Sequence, residues 1–139
     1  MVKIRSAKKS DIPILVNLDK EANKEIKWWT PLSNADFLNL IEHKNLLFIA
    51  VGDKEIIGYL SGKIKKRNVL LENVFVTKEF RKEGIAKNMI RTFSSKWKSP
   101  KYKTIQIVCP EKLRDFYAKL GFRVSALVMK RNIKARERN

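Results

Sequence analysis

The sequence predicts an α+β (mixed α/β) domain, with a central, mostly antiparallel sheet flanked by about four helices. Three features carry this. Strand-like apolar runs at residues 46–51, 56–64 and 69–76 are separated only by short polar turns, the pattern of consecutive hairpins. Helix-periodic segments stand on both sides of that block. A further strand at 104–109 follows a helix, so a β-α-β crossover closes the order.

Taken in order, residues 2–5 alternate as a short strand. Ser10 and Asp11 ahead of Pro13 mark a helix start, and Ile14, Leu15, Leu18 and Ala22 continue an apolar face. Residues 26–32, with Trp28, Trp29 and Pro31, break the period and predict a loop. Asn34 or Asp36 caps a second helix with Phe37, Leu40 and Ile41 on one face. Residues 46–51, Gly52-Asp53 and residues 56–64 predict a hairpin, and a polar turn at 65–68 leads into the strand at 69–76. A helix is predicted over 83–98 with Ile85, Met89, Ile90, Phe93 and Trp97 inward. Residues 111–120 place Leu113, Phe116, Tyr117 and Leu120 at i, i+3, i+4, i+7, and Gly121 ends that helix. Residues 122–124 and 126–129 predict final strands. Residues 1–133 read as one domain, and 134–139 as a basic tail.

At 139 residues, 44% hydrophobic and 32% charged, the chain can bury a proper core and is not of disordered composition. A single cysteine, Cys109, excludes an internal disulfide, and with His43 as the one histidine no metal site is expected. The first ten residues lack a signal-peptide core, and the longest apolar run is too short to span a bilayer, so a cytoplasmic protein is expected. The net charge of +17 is unevenly spread: residues 1–60 hold 9 Lys/Arg against 8 Asp/Glu, residues 61–139 hold 22 against 6. Such a field draws polyanions: nucleic acid, an acidic membrane surface, an acidic protein or a multiply charged cofactor. A solvated, solubilising face is the plain alternative.

The stretch richest in chemistry is Val74-Phe75-Val76-Thr77-Lys78-Glu79-Phe80-Arg81-Lys82-Glu83-Gly84-Ile85-Ala86. It reads as strand, tight loop and helix start. A helix opening there presents unpaired N–H groups and a positive dipole end, and Arg81 and Lys82 add charge, so the loop suits a phosphate or pyrophosphate. At Gly84 a side chain would hold an anion off the backbone. A strand–basic loop–helix junction that binds no phosphate is the competing interpretation.

Two motifs in this order resemble the GNAT superfamily of acetyl-CoA-dependent N-acetyltransferases. Arg81-Lys82-Glu83-Gly84-Ile85-Ala86 matches the family's Arg/Gln-x-x-Gly-x-Gly/Ala, and Phe116-Tyr117-Ala118-Lys119-Leu120-Gly121-Phe122 is similar to its F-Y-x-x-x-G-F. The resemblance covers nearly the whole chain and implies the acyl-CoA N-acyltransferase fold. It also implies that backbone amides of Arg81, Lys82, Glu83, Gly84, Ile85 and Ala86 hold the pyrophosphate of acetyl-CoA. Val74, Phe75 and Val76 would then face the pantetheine arm and thioester. Tyr117 matches the tyrosine near the departing sulfur, and Glu72 stands where many relatives carry a glutamate base. The family's Asn seven residues before the tyrosine and Ala four before it are Pro110 and Leu113 here.

Acetyl transfer needs a neutral amine. Deprotonating a lysine-like amine at pH 7 costs about 4.6 kcal/mol, an α-amine only about 1 kcal/mol. Glu72 is the candidate base, with a solvated strand carboxylate or ion-pair partner as the alternative. Tyr117 is the candidate acid toward the thiolate, with a core role as the alternative. Trp28 and Trp29 lie in the loop that borders the acceptor pocket in this family, as an aromatic wall or as core closure. The expected reaction is direct transfer to a primary amine of a protein or small molecule. Acetylation of the aminoacyl group of charged tRNA, with basic clusters of the C-terminal half on the RNA, is one alternative; a non-catalytic CoA- or RNA-binding member of the fold is another. A homodimer is compatible with each.

Overall fold

Polar two-residue turns make the centre of the sheet a meander. The computed structural model describes residues 1–26 and 30–133. Strand β1 (Val2–Ser6) pairs antiparallel with β2 (Leu47–Gly52), which pairs antiparallel with β3 (Glu55–Lys65), which pairs antiparallel with β4 (Asn68–Val76). Asp53 and Lys54 turn β2 into β3 with φ of 50° and 69°, the mirror-image turn whose twist suits a hairpin. After helix α3 (Ile85–Ser95), β5 (Thr104–Ile107) joins the edge of β4 in parallel. The order β1-β2-β3-β4-β5 is the expected α+β arrangement.

Side-chain alternation assigns the helices to faces. Leu15, Leu18 and Ala22 of α1 (Ile12–Glu25) and Phe37 of α2 (Asn34–Glu42) bury against Leu47, Ile49, Tyr59 and Phe75. Phe48, between Leu47 and Ile49, points the other way and meets Phe93 of α3 edge-on at 6.3 Å. Strand β2 is therefore buried on both faces, which explains its unbroken apolar run. A Cβ on Gly62 of β3 would lie 2.6 Å from the Phe93 ring, so glycine there lets α3 settle onto the sheet.

Several local expectations shift. Ile14 is half exposed, on the outer side of α1, while Ile12 and Val16 pack inward. The cap of α2 is Ser33, whose hydroxyl accepts the Asp36 N–H while the Asp36 carboxylate accepts the Ser33 N–H, a capping box in place of an Asn34 or Asp36 cap. Helix α3 is shorter than predicted. Trp97 lies beyond it, half-buried, with Nε1 donating to the Asn45 carbonyl at 3.2 Å. Strand β5 ends at Ile107, and Cys109 is only partly buried.

The chain divides into two compact units, Met1–Cys109 and Pro110–Asn139. The sheet and α1–α3 form the first. In the second, a 3-10 turn (Glu111–Leu113) leads into the short helix α4 (Arg114–Ala118), and Leu113 is exposed rather than part of its buried face. Gly121, with φ of 95°, ends it: its N–H reaches the Ala118 carbonyl and the Phe122 N–H reaches that of Tyr117. That is the paired-bond glycine cap, and the Tyr117 and Phe122 rings meet across it at 5.7 Å. The predicted strands at 122–124 and 126–129 do not form among the described residues. A strand needs a backbone partner and a face to bury. Leu127 and Met129 are 80% and 87% exposed, so apolar content alone does not make one here.

Candidate active site

The site of interest begins where β4 loses its second neighbour. Pairing between β4 and β5 runs from Asn68–Thr104 to Leu71–Ile107 and stops. At the next residue the β3–β4 register slips between Ser61 and Gly62, which leaves Glu72 as the extra residue of a β-bulge. A bulge bends its strand and increases its twist, so β4 turns away at the point where β5 ends. Glu72 itself is exposed and joins no ion pair among the described residues.

Beyond the bulge, among the described residues, one edge of β4 has no partner strand. The Thr77 N–H donates to the Ile57 carbonyl of β3 at 2.8 Å, so alternate residues Phe75 and Asn73 also aim their backbone groups at β3. Val74 and Val76 aim theirs the other way. The Val76 carbonyl is taken there by Arg81 Nε at 2.8 Å.

A 3-10 turn (Lys78–Phe80) carries the chain from β4 to α3. Lys82 has φ of 67° and Gly84 φ of 80°, with Glu83 between them, an alternation that turns successive N–H groups toward one concave side. The first intrahelical donor is Asn88, bonded to the Gly84 carbonyl at 3.0 Å. Among the described residues no acceptor takes the N–H groups of residues 82–87, which include Ile85 and Ala86. The first turn of α3 holds no acidic residue; within the run itself Lys82 and Lys87 carry positive charge and the exposed Glu83 a negative one. A Cβ added to Gly84 would meet no atom of the described residues within 4 Å, so the backbone here is not crowded.

Arg81 behaves differently from its neighbours. Its guanidinium does not point over the N–H run. It spans the Val76 carbonyl and the Glu25 carboxylate at the end of α1, at 2.8 Å each, and lies 5.4 Å from the centre of the Phe75 ring. The Arg81 hydrogen bond holds the Glu25 carboxyl below the usual carboxylate range. The side chain therefore ties the loop to β4 and α1, and its charge is paired with the Glu25 carboxylate.

Tyr117 belongs to the second unit. It is buried there, edge-on to Phe116 at 5.0 Å and to Phe122 at 5.7 Å. Pro110 caps the 3-10 turn before α4. Trp28 and Trp29 lie outside the described residues. No group of His, Cys, Asp and Glu side chains able to hold a metal occurs among the described residues.

One buried polar cluster was not anticipated. Asp19 of α1 is 1% exposed. Its carboxylate accepts the Tyr59 hydroxyl, the Leu32 N–H at 2.7 Å and the Asn23 side-chain amide at 3.3 Å. Burial and then Asp19 push the Tyr59 hydroxyl far above the ordinary tyrosine range. Tyr59 also packs on Phe37 and on its cross-strand partner Phe75, the ring under Arg81. The signal was available: Asp19 stands four residues after Leu15 and three before Ala22, inside the apolar stripe of α1.

A family model described as an acetyltransferase (GNAT) domain matches residues 17–133. No curated protein matches the sequence significantly. Among solved structures, glucosamine-6-phosphate N-acetyltransferase from Arabidopsis thaliana superposes with a TM-score of 0.76 at 17% identity, over 96% of this chain and 99% of that one. An aminoglycoside N-acetyltransferase in complex with CoA gives 0.75 at 20% identity, over 97% and 96%. A predicted acetyltransferase from Clostridium acetobutylicum with acetyl-CoA gives 0.74 at 20%, over 95% and 96%. At these identities the likeness is one of fold.

Proposed function

The chain belongs to the GNAT acetyltransferase family, and from that premise we propose that it transfers the acetyl group of acetyl-CoA directly to a primary amine of a protein or small-molecule acceptor. The observation that carries this reading is the open edge of β4 leading into the unpaired N–H groups of residues 82–87. Such a run at a helix start suits a pyrophosphate, and Lys82 and Lys87 add charge. Val74 and Val76 offer the pantetheine arm the hydrogen bonds of a free strand edge. Two structurally similar proteins were solved with CoA or acetyl-CoA, which supports the choice of donor.

The donor supplies a thioester whose C–S bond breaks as the amine's N–C bond forms. In this reading the Val76 N–H polarises the thioester carbonyl. Glu72 takes the amine's proton, directly or through one water, and the Tyr117 hydroxyl gives one to the sulfur. Tyrosine suits that second task because its ordinary pKa, about 10, lies near that of a thiol leaving group, about 8.5. The bulge matters to the first: it sets Glu72 in solvent at the end of the opened edge, where an acceptor can approach.

Calorimetric titration of acetyl-CoA into wild type and Gly84→Glu tests this. Binding to wild type that is lost in the variant, followed by thiol release in a screen of primary amines, is the expected result. Amino sugars and aminoglycosides head that screen, since structurally similar enzymes are named for them. A folded wild type that binds no acetyl-CoA would refute the assignment.

A further inference from the structure

Two basic segments far apart in sequence are stitched together at the end of the sheet remote from residues 77–87. The end of β3 and its turn into β4 carry Lys63, Lys65, Lys66 and Arg67, all exposed. The connection from α3 to β5 carries Lys96, Lys98, Lys101 and Lys103, also exposed. Arg67 Nε donates to the Lys101 carbonyl at 3.2 Å and Arg67 Nη2 to the Pro100 carbonyl at 3.0 Å. The Lys103 N–H returns a bond to the Arg67 carbonyl at 2.7 Å. One arginine thus holds both segments in a single edge.

The edge is firm rather than a loose tail. Trp97 and Tyr102 meet edge-on at 5.0 Å, Trp97 is anchored to Asn45, and the Lys101 ammonium lies 5.6 Å from the centre of the Tyr102 ring. The Thr104 hydroxyl donates to the Asn68 side-chain oxygen at 2.7 Å. No Asp or Glu occurs within residues 63–68 or 96–104. The ion pairs among the described residues, Arg5–Asp11, Arg81–Glu25 and Arg114–Glu111, involve none of these lysines.

This charge does not serve the cradle at Gly84. Strand β4 separates the two along its length, about 27 Å at roughly 3.4 Å per residue. That is more than three times the Debye length of about 8 Å at physiological salt. We propose that the joined edge binds the phosphate backbone of a nucleic acid without regard to sequence. Lysine side chains are point charges on flexible stems, suited to a regular row of phosphates. Protein interfaces are depleted in lysine, which argues against an acidic protein. A membrane surface favours apolar side chains beside the charge, and Ile64 is the one exposed large aliphatic residue in these two segments. This inference stands apart from the catalytic one.

The test is fluorescence anisotropy of a labelled 20-nucleotide single-stranded RNA, and of DNA of the same sequence, titrated with the full chain at several salt concentrations. The edge variant is Lys65→Gln/Lys66→Gln/Lys101→Gln. A control of equal charge change, Lys3→Gln/Lys9→Gln/Lys20→Gln, alters exposed lysines of the balanced half. With seven lysines engaged, the slope of log K on log salt is about −5 for a single strand, and the edge variant brings it to about −3. Between 50 and 200 mM salt the wild type should therefore lose affinity about 10³-fold and the edge variant about 50-fold. The control keeps the wild-type slope, and tighter RNA or tighter DNA binding says which nucleic acid is preferred. Equal weakening by both triple variants, or an edge variant that binds like wild type, overturns the proposal. So does tighter, edge-dependent binding to phosphatidylserine vesicles than to either oligonucleotide. Acetyl-CoA affinity, measured on the same samples, should not differ between the edge variant and wild type, so loss of one function is separable from loss of the other.

Discussion

Arg81 Nε donates to the carbonyl of Val76 at 2.8 Å, across the first turn of the loop that follows β4. The bond uses the last outward acceptor of the open strand edge and leaves the donors beyond it free. The same guanidinium lies over Phe75 and reaches Glu25, so one side chain joins β4, α1 and the loop before α3. Phe75 continues the chain of contacts to Tyr59 and, through its hydroxyl, to Asp19. The loop that carries the N–H run at Gly84 is therefore braced by a side chain bonded outside the run.

Arg81→Ala removes that brace. The pair with Glu25 is well exposed and worth little by itself, while the hydrogen bond to Val76 and the contact on Phe75 are partly sheltered. A loss of about 1–2 kcal/mol in denaturant unfolding is expected, with weaker acetyl-CoA binding as the loop loosens. Arg81→Lys keeps a charge but cannot span both acceptors, so it should fall between the two. An Arg81→Ala protein as stable as wild type would show that the brace contributes nothing.

Gly84→Ala separates backbone strain from obstruction. Nothing crowds an added Cβ, but φ is 80°, where an L-residue costs about 1 kcal/mol. Alanine and glutamate at this position should therefore lower stability by similar amounts. Acetyl-CoA affinity should fall far more for glutamate, whose side chain brings a negative charge to the cradle. Matched losses of affinity in the two variants would trace the effect to strain alone.

What the sequence disclosed follows the range of the interactions. The hairpins were legible because Gly52-Asp53 and residues 65–68 punctuate apolar runs, and the glycine cap at Gly121 because its signal is local. The α2 cap was placed at Asn34 or Asp36, one or three residues past Ser33, because several good capping residues adjoin there. The bulge at Glu72 was hidden, since a register slip depends on the partner strand and leaves no mark in β4. Arg81 was read as a charge, but its side chain spends hydrogen bonds on the Val76 carbonyl and on Glu25, distant in sequence. Leu127 and Met129 misled because an apolar run says nothing about whether a neighbour exists to bury it.

The buried Asp19–Tyr59 pair predicts a signature in alkali. The folded hydroxyl titrates above the unfolded value of about 10, so the neutral form favours the fold. Its contribution is fully present below about pH 10 and is lost as pH climbs from there toward the folded value, at about 1.4 kcal/mol per unit. Tyr59→Phe should be less stable at neutral pH by about 1–2 kcal/mol and should lack this component of alkaline decline. Asp19→Ala should cost about 2–4 kcal/mol, because it removes a buried acceptor from both the Tyr59 hydroxyl and the Leu32 N–H. Parallel alkaline profiles for wild type and Tyr59→Phe would contradict the assignment.

Glu72→Gln asks whether the exposed bulge carboxylate is the base, and the acceptor's own pKa sharpens the question. An acceptor near pKa 10.4 is almost wholly protonated at pH 7 and gains most from a base; one near 7.8 supplies a usable fraction of neutral amine unaided. The substitution keeps shape and hydrogen bonding while removing the proton acceptor. With a lysine-like amine, kcat/KM should fall by about 10²-fold or more at pH 7. With an α-amine the fall should be far smaller. Raising the pH toward 9 should narrow the deficit for the first acceptor, as solution itself supplies the neutral amine. The variant should unfold at the wild-type denaturant concentration, since Glu72 is exposed and joins no ion pair among the described residues. A deficit that is the same for both acceptors and flat with pH would assign Glu72 to positioning and leave proton removal to water.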